Sequence, residues 1–308
     1  LNIDFLRELN NKIVLESKAK QNFSALLDVQ LDKIEQLILT ADDYSFIVEN
    51  IHHTKQSKFI DSQASKVLQF FPNLNTLKAQ AGKLSPDNFS LTLQTLRQKN
   101  NTLLDNDDEY IQLLKEISNA QCRKICIDNI ERIKPFLQNI ILFQKLTKAL
   151  GADKIKMLIK EFTALIADSV NTIDDFNVVI TRADKNEKEP FFDVVKNRLI
   201  ACIKSIEDLS HALASLDSIF LAELLSSPIN FAIPFKEYIK LIQDCPERNK
   251  AVFLTVIQKQ LSTLLTTYDD FNTLFAILDP DQFEIIYNTI LPKIIEILDT
   301  NIEQFANI

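Results

Sequence analysis

Three stretches place two aspartates directly before an aromatic ring: "LTADDYSFI" at 39–47, "NTIDDFNVV" at 171–179 and "TTYDDFNTL" at 266–274. Paired carboxylates can serve as general acid and base, and acidic clusters can hold divalent cations. The positions around Asp269–Asp270 argue for a different role. Thr172, Ser205 and Thr267 fall at the N-cap of a helix, where a hydroxyl accepts a bond from an orphan backbone N–H. The acids that follow them (Asp174–Asp175, Glu207–Asp208, Asp269–Asp270) then lie in the first turn, which the helix dipole makes favourable for negative charge. An active site needs its carboxylate pair once, whereas this motif recurs. A calcium loop would also need alternating oxygen ligands and a mid-loop glycine, and neither is present. The motif therefore reads as a helix start.

The remaining reactive side chains are few. His52 and His53 are adjacent in an expected break between helices, and His211 stands alone in an expected helix. No H-E-x-x-H or G-x-S-x-G occurs. Cys122, Cys126, Cys202 and Cys245 have no zinc-type spacing. Cys122 and Cys126 fall in line with Ile133 and Leu137 on one helix face, as core thiols would. Lys154, Lys156 and Lys160 in "LGADKIKMLIK" stand near a helix start, where they would either touch a phosphate or remain solvated. No catalytic, cofactor-binding or metal-binding residue is assigned from the sequence, and no enzyme activity or cofactor is expected.

Composition narrows the classes further. Only two glycines occur, Gly82 and Gly151, against about 7% in an average chain. Hairpins, dinucleotide-binding turns and phosphate loops all use glycine to reach positive φ, so an all-α fold is expected. The formal net charge of −8 opposes nonspecific binding to nucleic acid or anionic membrane. Charge is uneven, however: residues 51–100 carry Lys55, Lys58, Lys66, Lys78, Lys83, Arg97 and Lys99 against Asp61 and Asp87, a net +5. Residues 251–308 are net −6. No signal peptide and no apolar run of about 18 residues is visible. A soluble protein of a reducing compartment is expected, and the lack of an initiating methionine is what a processed or trimmed chain would show.

The elements that must position these residues follow from a repeat. Stepping by 33 from Tyr44 meets Leu77, Tyr110, Phe143, Phe176 and Leu209; after a four-residue deletion the frame resumes at Tyr238, Phe271 and Phe305. Three and four residues after these markers come further apolar pairs, such as Val179/Ile180 and Leu274/Phe275. Each unit reads as two amphipathic helices, the second starting near "SPDN", "GAD", "DKNEKEP" or "CPERN". Pro190 suits the first turn of such a helix, and kinks or early ends are expected at Pro135 and Pro292. The expected architecture is a right-handed α-solenoid of antiparallel helix pairs repeating about every 33 residues. It forms one domain over 1–308: a divergent pair at 1–39 with its second helix near Asn22–Leu39, repeat units over 40–299, and the start of a further helix at 300–308.

The run T-x-D-D-F-N-x-[VL], then "DPDQ" and a stretch ending "KIIEIL", over 172–179 and 267–299, resembles degenerate helical repeats in secreted effectors of intracellular Legionella-type bacteria. The resemblance implies a bacterial or host cytoplasm and a host protein as partner, and it carries over no catalytic residues. The expected function is a non-catalytic, protein-binding scaffold. The alternatives are an accessory repeat region of a larger effector enzyme, or phosphoinositide or nucleic-acid binding through the basic 51–100 segment.

Overall fold

Hydroxyl and amide caps set where the helices begin. Thr40, Thr172, Ser205 and Thr267 each accept the backbone N–H of the aspartate three residues on, at Asp43, Asp175, Asp208 and Asp270. At Thr40 and Thr267 that aspartate bonds back to the cap N–H and completes a capping box. Ser85, followed by Pro86 at the first helical position, and Ser118 with Gln121 start two more helices in the same way. Each such cap contributes about 1 kcal/mol.

The computed structural model describes residues 2–13, 17–100, 104–227 and 232–306, with the side chains of residues 17 and 300–306 excepted. It is all-α: helix makes up 81% of it, in 22 helices, and no strand occurs among the described residues. The helices form two compact units, Leu1–Phe162 and Thr163–Ile308.

In the first unit the helices can be taken two by two along the chain, for example Ala41–Asn50 then His53–Ser62, and Asp107–Glu116 then Asn119–Asp128. The second helices of successive pairs pack on one another: Pro86–Lys99 touches both His53–Ser62 and Asn119–Asp128, and the latter touches Ala152–Glu161. The first helices do the same, with Asp107–Glu116 against Leu74–Ala79 and Ile140–Ala149. The second unit follows the same plan. Ile173–Ile180, Ile206–Ser215, Phe235–Asp244 and Tyr268–Ile277 contact in succession, as do Ser218–Leu225, Glu247–Leu264 and Pro280–Ala306. Most of the apolar markers lie in the core: Tyr44, Leu77, Tyr110, Phe143, Phe176, Leu209 and Tyr238 are buried, whereas Phe271 is half-buried.

Several local expectations need correction. "DKNEKEP" is helical, because Lys185–Cys202 starts at Lys185 and places Pro190 inside the helix. Pro292 ends nothing: Pro280–Ala306 passes through it, and the same helix continues across 300–306, where a separate helix was expected to begin. Pro135 does precede an end, at Leu137. The second helix of the opening pair begins at Ser17 rather than near Asn22, and breaks at Gln30. Phe275, expected on the core face of its helix, is 55% exposed. Phe305 falls outside the described side chains.

Candidate functional site

The structure gives the two aspartates of each motif different partners. The second caps its own helix, as described above. In the stretches at 39–47 and 171–179 the first reaches the following helix pair: Asp42 Oδ1 accepts Gln80 Nε2 and Lys83 Nζ, both at 2.6 Å, and Asp174 Oδ1 meets His211 Nε2 at 2.9 Å. Asp108, at the corresponding place before Tyr110, pairs with Lys145 at 2.8 Å. The bond from Lys83, aided by Gln80, holds the Asp42 carboxyl below the ordinary aspartate value. The motif is thus both a helix start and a clasp between neighbouring pairs.

A second connection runs through the core. Gln121 Nε2 donates to the carbonyls of Ala81 and Leu84, at 2.6 and 2.9 Å. Lys154, 33 residues later, donates its ammonium to Leu114, Lys115 and Ile117 carbonyls at 2.6–2.7 Å. Asn249 Nδ2 donates to Leu213 and Leu216 at 2.7 and 2.9 Å. The acceptors recur four and seven residues after the markers Leu77, Tyr110 and Leu209. They are main-chain oxygens at the end of a helix, which have no intrahelical donor. Asn88 and Gln282, at the same places in their pairs, instead donate to the carboxylates Glu49 and Glu247. Lys154 is therefore buried and unable to reach a phosphate, the alternative the sequence left open. Its loss of solvent holds its ammonium below the ordinary lysine value.

Beside Lys154, Cys122 and Cys126 are fully buried. The Cys126 thiol holds Cys122 below the usual thiol value, and the same pairing pushes Cys126 well above it. Neither is placed as a reactive thiol must be, at an accessible electropositive surface. Cys245 is also buried, which pushes its thiol up to about 11. Cys202 is partly exposed and donates to the Asn171 carbonyl at 2.9 Å.

The arrangement nearest to known chemistry is a hydrogen-bonded series of Ser215, His211 and Asp174. Ser215 Oγ lies 3.4 Å from His211 Nδ1, and His211 Nε2 lies 2.9 Å from Asp174. In a hydrolase the carboxylate is buried, where it fixes the imidazole and stabilises its cation. Here the Asp174 side chain is 74% exposed, so water competes for it at every step. Ser215 lies one turn along the same helix, and the trio ties Ile173–Ile180 to Ile206–Ser215. The adjoining hollow of about 430 Å³ is lined by Glu207, His211, Glu237, Lys240 and Asp244 and is open and acidic. The His52 and His53 rings lie 4.2 Å apart, tilted by 39°, with His52 Nδ1 bonded to Thr54. Among the described residues no three His, Cys, Asp or Glu side chains are grouped to hold a metal ion.

Three of the seven basic side chains of the 51–100 segment meet carboxylates and two more are bonded to neutral oxygens. Lys55 pairs with Asp28, Lys78 with Glu116 and Lys83 with Asp42. Lys66 donates to the Glu35 carbonyl and Arg97 to Asn129. These cations are committed within the fold. Among the described residues no helix is long and apolar enough to cross a membrane.

Compared with known proteins, the chain matches no family model, no curated protein and no solved structure.

Sequence reasoning missed the buried polar series at 88, 121, 154, 249 and 282. The signal was present, since these residues stand eleven after the apolar markers. A polar side chain at one position of a helical pattern reads as solvated until the neighbouring carbonyls are seen.

Proposed function

We propose that this chain is a non-catalytic protein-binding scaffold, a right-handed α-solenoid of antiparallel helix pairs with a repeat of about 33 residues. The observation that carries the reading is the recurring contact between pairs. Gln121, Lys154 and Asn249 cap the preceding helix at the same two offsets, while Asp42, Asp108 and Asp174 clasp the following one. Gln121, Lys154 and Asn249 are buried ties and the aspartate clasps are exposed ones; both engage neighbouring helices of the chain, which supports a scaffold whose remaining surface is left to a partner. The free thiols suit a reducing compartment. In keeping with the resemblance to secreted effector repeats, the partner is proposed to be a host protein.

The test uses the full chain as immobilised bait in host-cell lysate, with retained proteins identified by mass spectrometry and rebound in purified form. A defined partner that binds saturably is the expected result. Retention of nothing beyond what a charge-matched helical control retains would remove the scaffold reading.

A further inference from the structure

Where Asn119–Asp128 packs on Ala152–Glu161 in the first unit, the chain departs from its own repeat at four neighbouring places. Tyr110 stands where Leu77 and Phe143 stand one 33-residue step before and after it. Cys122 takes the place of Phe89 and Ile155, and Cys126 that of Leu93 and Ile159, large apolar side chains that are all buried. Lys154 takes the place at which Gln121 and Asn249 serve as neutral amides.

These four side chains adjoin one another. Cys122 and Cys126 stand four apart on Asn119–Asp128, so they lie on one face of the helix, and both are 0% exposed. Cys122 feels the charge of Lys154, whose three bonds go to carbonyls and which no carboxylate compensates among the described residues. The Tyr110 hydroxyl lies beside Cys126 without a hydrogen bond that satisfies it, whereas that of Tyr44, two pairs earlier, meets Thr92 at 3.0 Å. A buried ammonium without a counter-charge and a buried hydroxyl without an acceptor both call for an anion. The thiols are the groups here that can become one.

Spacing decides what the thiols can share. Cβ atoms four apart on a helix are about 5–6 Å from each other, beyond the roughly 3.5–4.5 Å that a disulfide spans. Two thiolate–metal bonds of about 2.3 Å each bridge that gap. Zinc would need two further ligands, and among the described residues no third His, Cys, Asp or Glu is grouped with these thiols. A soft monovalent ion is held by thiolates alone.

We propose that Cys122 and Cys126 form a closed, two-coordinate site for a soft monovalent d10 cation of the Cu(I) class. On binding, the two thiol protons leave to solvent and two sulfur–copper bonds form, with no electron transferred. The two thiolates, the Cu(I) and the Lys154 ammonium then sum to zero charge, which suits a buried position. Tyr110 donates to the Cys126 thiolate, the acceptor it otherwise lacks. The site is independent of the scaffold reading.

The test titrates the full chain, reduced and kept from oxygen, with Cu(I) against bathocuproine disulfonate, whose Cu(I) complex is coloured. Loss of colour at one Cu(I) per chain is expected, and the double variant Cys202→Ser, Cys245→Ser should keep it. Cys122→Ser and Cys126→Ser should each weaken binding more than about a hundredfold, and Tyr110→Phe and Lys154→Gln, which touch no metal, by about tenfold. X-ray absorption of the loaded wild-type chain needs no variant, and two sulfur neighbours of copper with no nitrogen or oxygen are expected. Uptake that survives the loss of both Cys122 and Cys126, a third ligand in the absorption spectrum, or Zn(II) bound as tightly as Cu(I) would overturn the proposal. So would the absence of one-to-one uptake by the wild-type chain at equilibrium.

Discussion

The Asp269–Asp270 pair shows how much a residue's position determines what it can do. Partial burial pushes the Asp270 carboxyl up, but the bonds from Thr266 and Thr267 outweigh it and leave the group below the ordinary aspartate value. Asp208 is lowered in the same way, by the Lys204 and Ser205 bonds. A carboxylate with a depressed folded-state value contributes stability that is fully present above its unfolded value, near 4. That contribution is lost as pH falls through the folded value. Thermal melts should therefore show stability falling below about pH 4, with a shallower fall in Asp270→Asn. At neutral pH, Thr267→Ala should cost about 1 kcal/mol in urea unfolding, whereas Asp269→Asn should cost about 0.5 kcal/mol, the share of the helix dipole, since no ion pair to its carboxylate occurs among the described residues. Lys154 calls for the opposite care. Replacing it by Met leaves the Leu114, Lys115 and Ile117 carbonyls without their donor and should cost about 2–3 kcal/mol. Lys154→Gln should restore much of that, because Gln121 bonds the equivalent carbonyls one pair earlier.

Each helix is set by local chemistry and held by contacts with its neighbours. Caps such as Thr40 and Ser118 mark the starts, yet the isolated segments, many only ten residues long, are too short to be stable alone in water. Packing supplies what they lack, and the buried amides fix the registry in which one pair meets the next. Asn249→Leu keeps the volume of the side chain while abandoning the Leu213 and Leu216 carbonyls. It should destabilise the second unit by about 1–3 kcal/mol, read from hydrogen exchange in Ile206–Ser215. If the amide were merely tolerated at that site, the leucine variant would be as stable or more so. The helix starts were legible in the sequence for this reason: a cap depends on residues three apart. The interruptions were not. Pro190 and Pro292 sit inside helices although each removes a backbone bond, so the helix continues on contacts made by its other residues rather than on local propensity.

For the molecule as a whole, charge is the property most easily misread from the chain. A +5 segment at 51–100 suggests an anion site until Lys55, Lys78 and Lys83 are seen facing Asp28, Glu116 and Asp42. Single-stranded RNA and phosphoinositide vesicles are accordingly expected to bind no more tightly than a nonspecific ~10⁻⁴ M, with steep loss on adding salt; tight binding insensitive to salt would reverse that assignment. Sequence alone determined the helical class, the capped starts and the 33-residue spacing of apolar markers, because each arises from residues within a turn or two of one another or from simple recurrence. Only the tertiary structure decided that Lys154 is interior, that Asp42 and Asp174 clasp a neighbour, and that Phe275 is open while Ile242 is closed. Burial is a relation between segments thirty or more residues apart, and identical local patterns take opposite environments according to whether another pair lies on top.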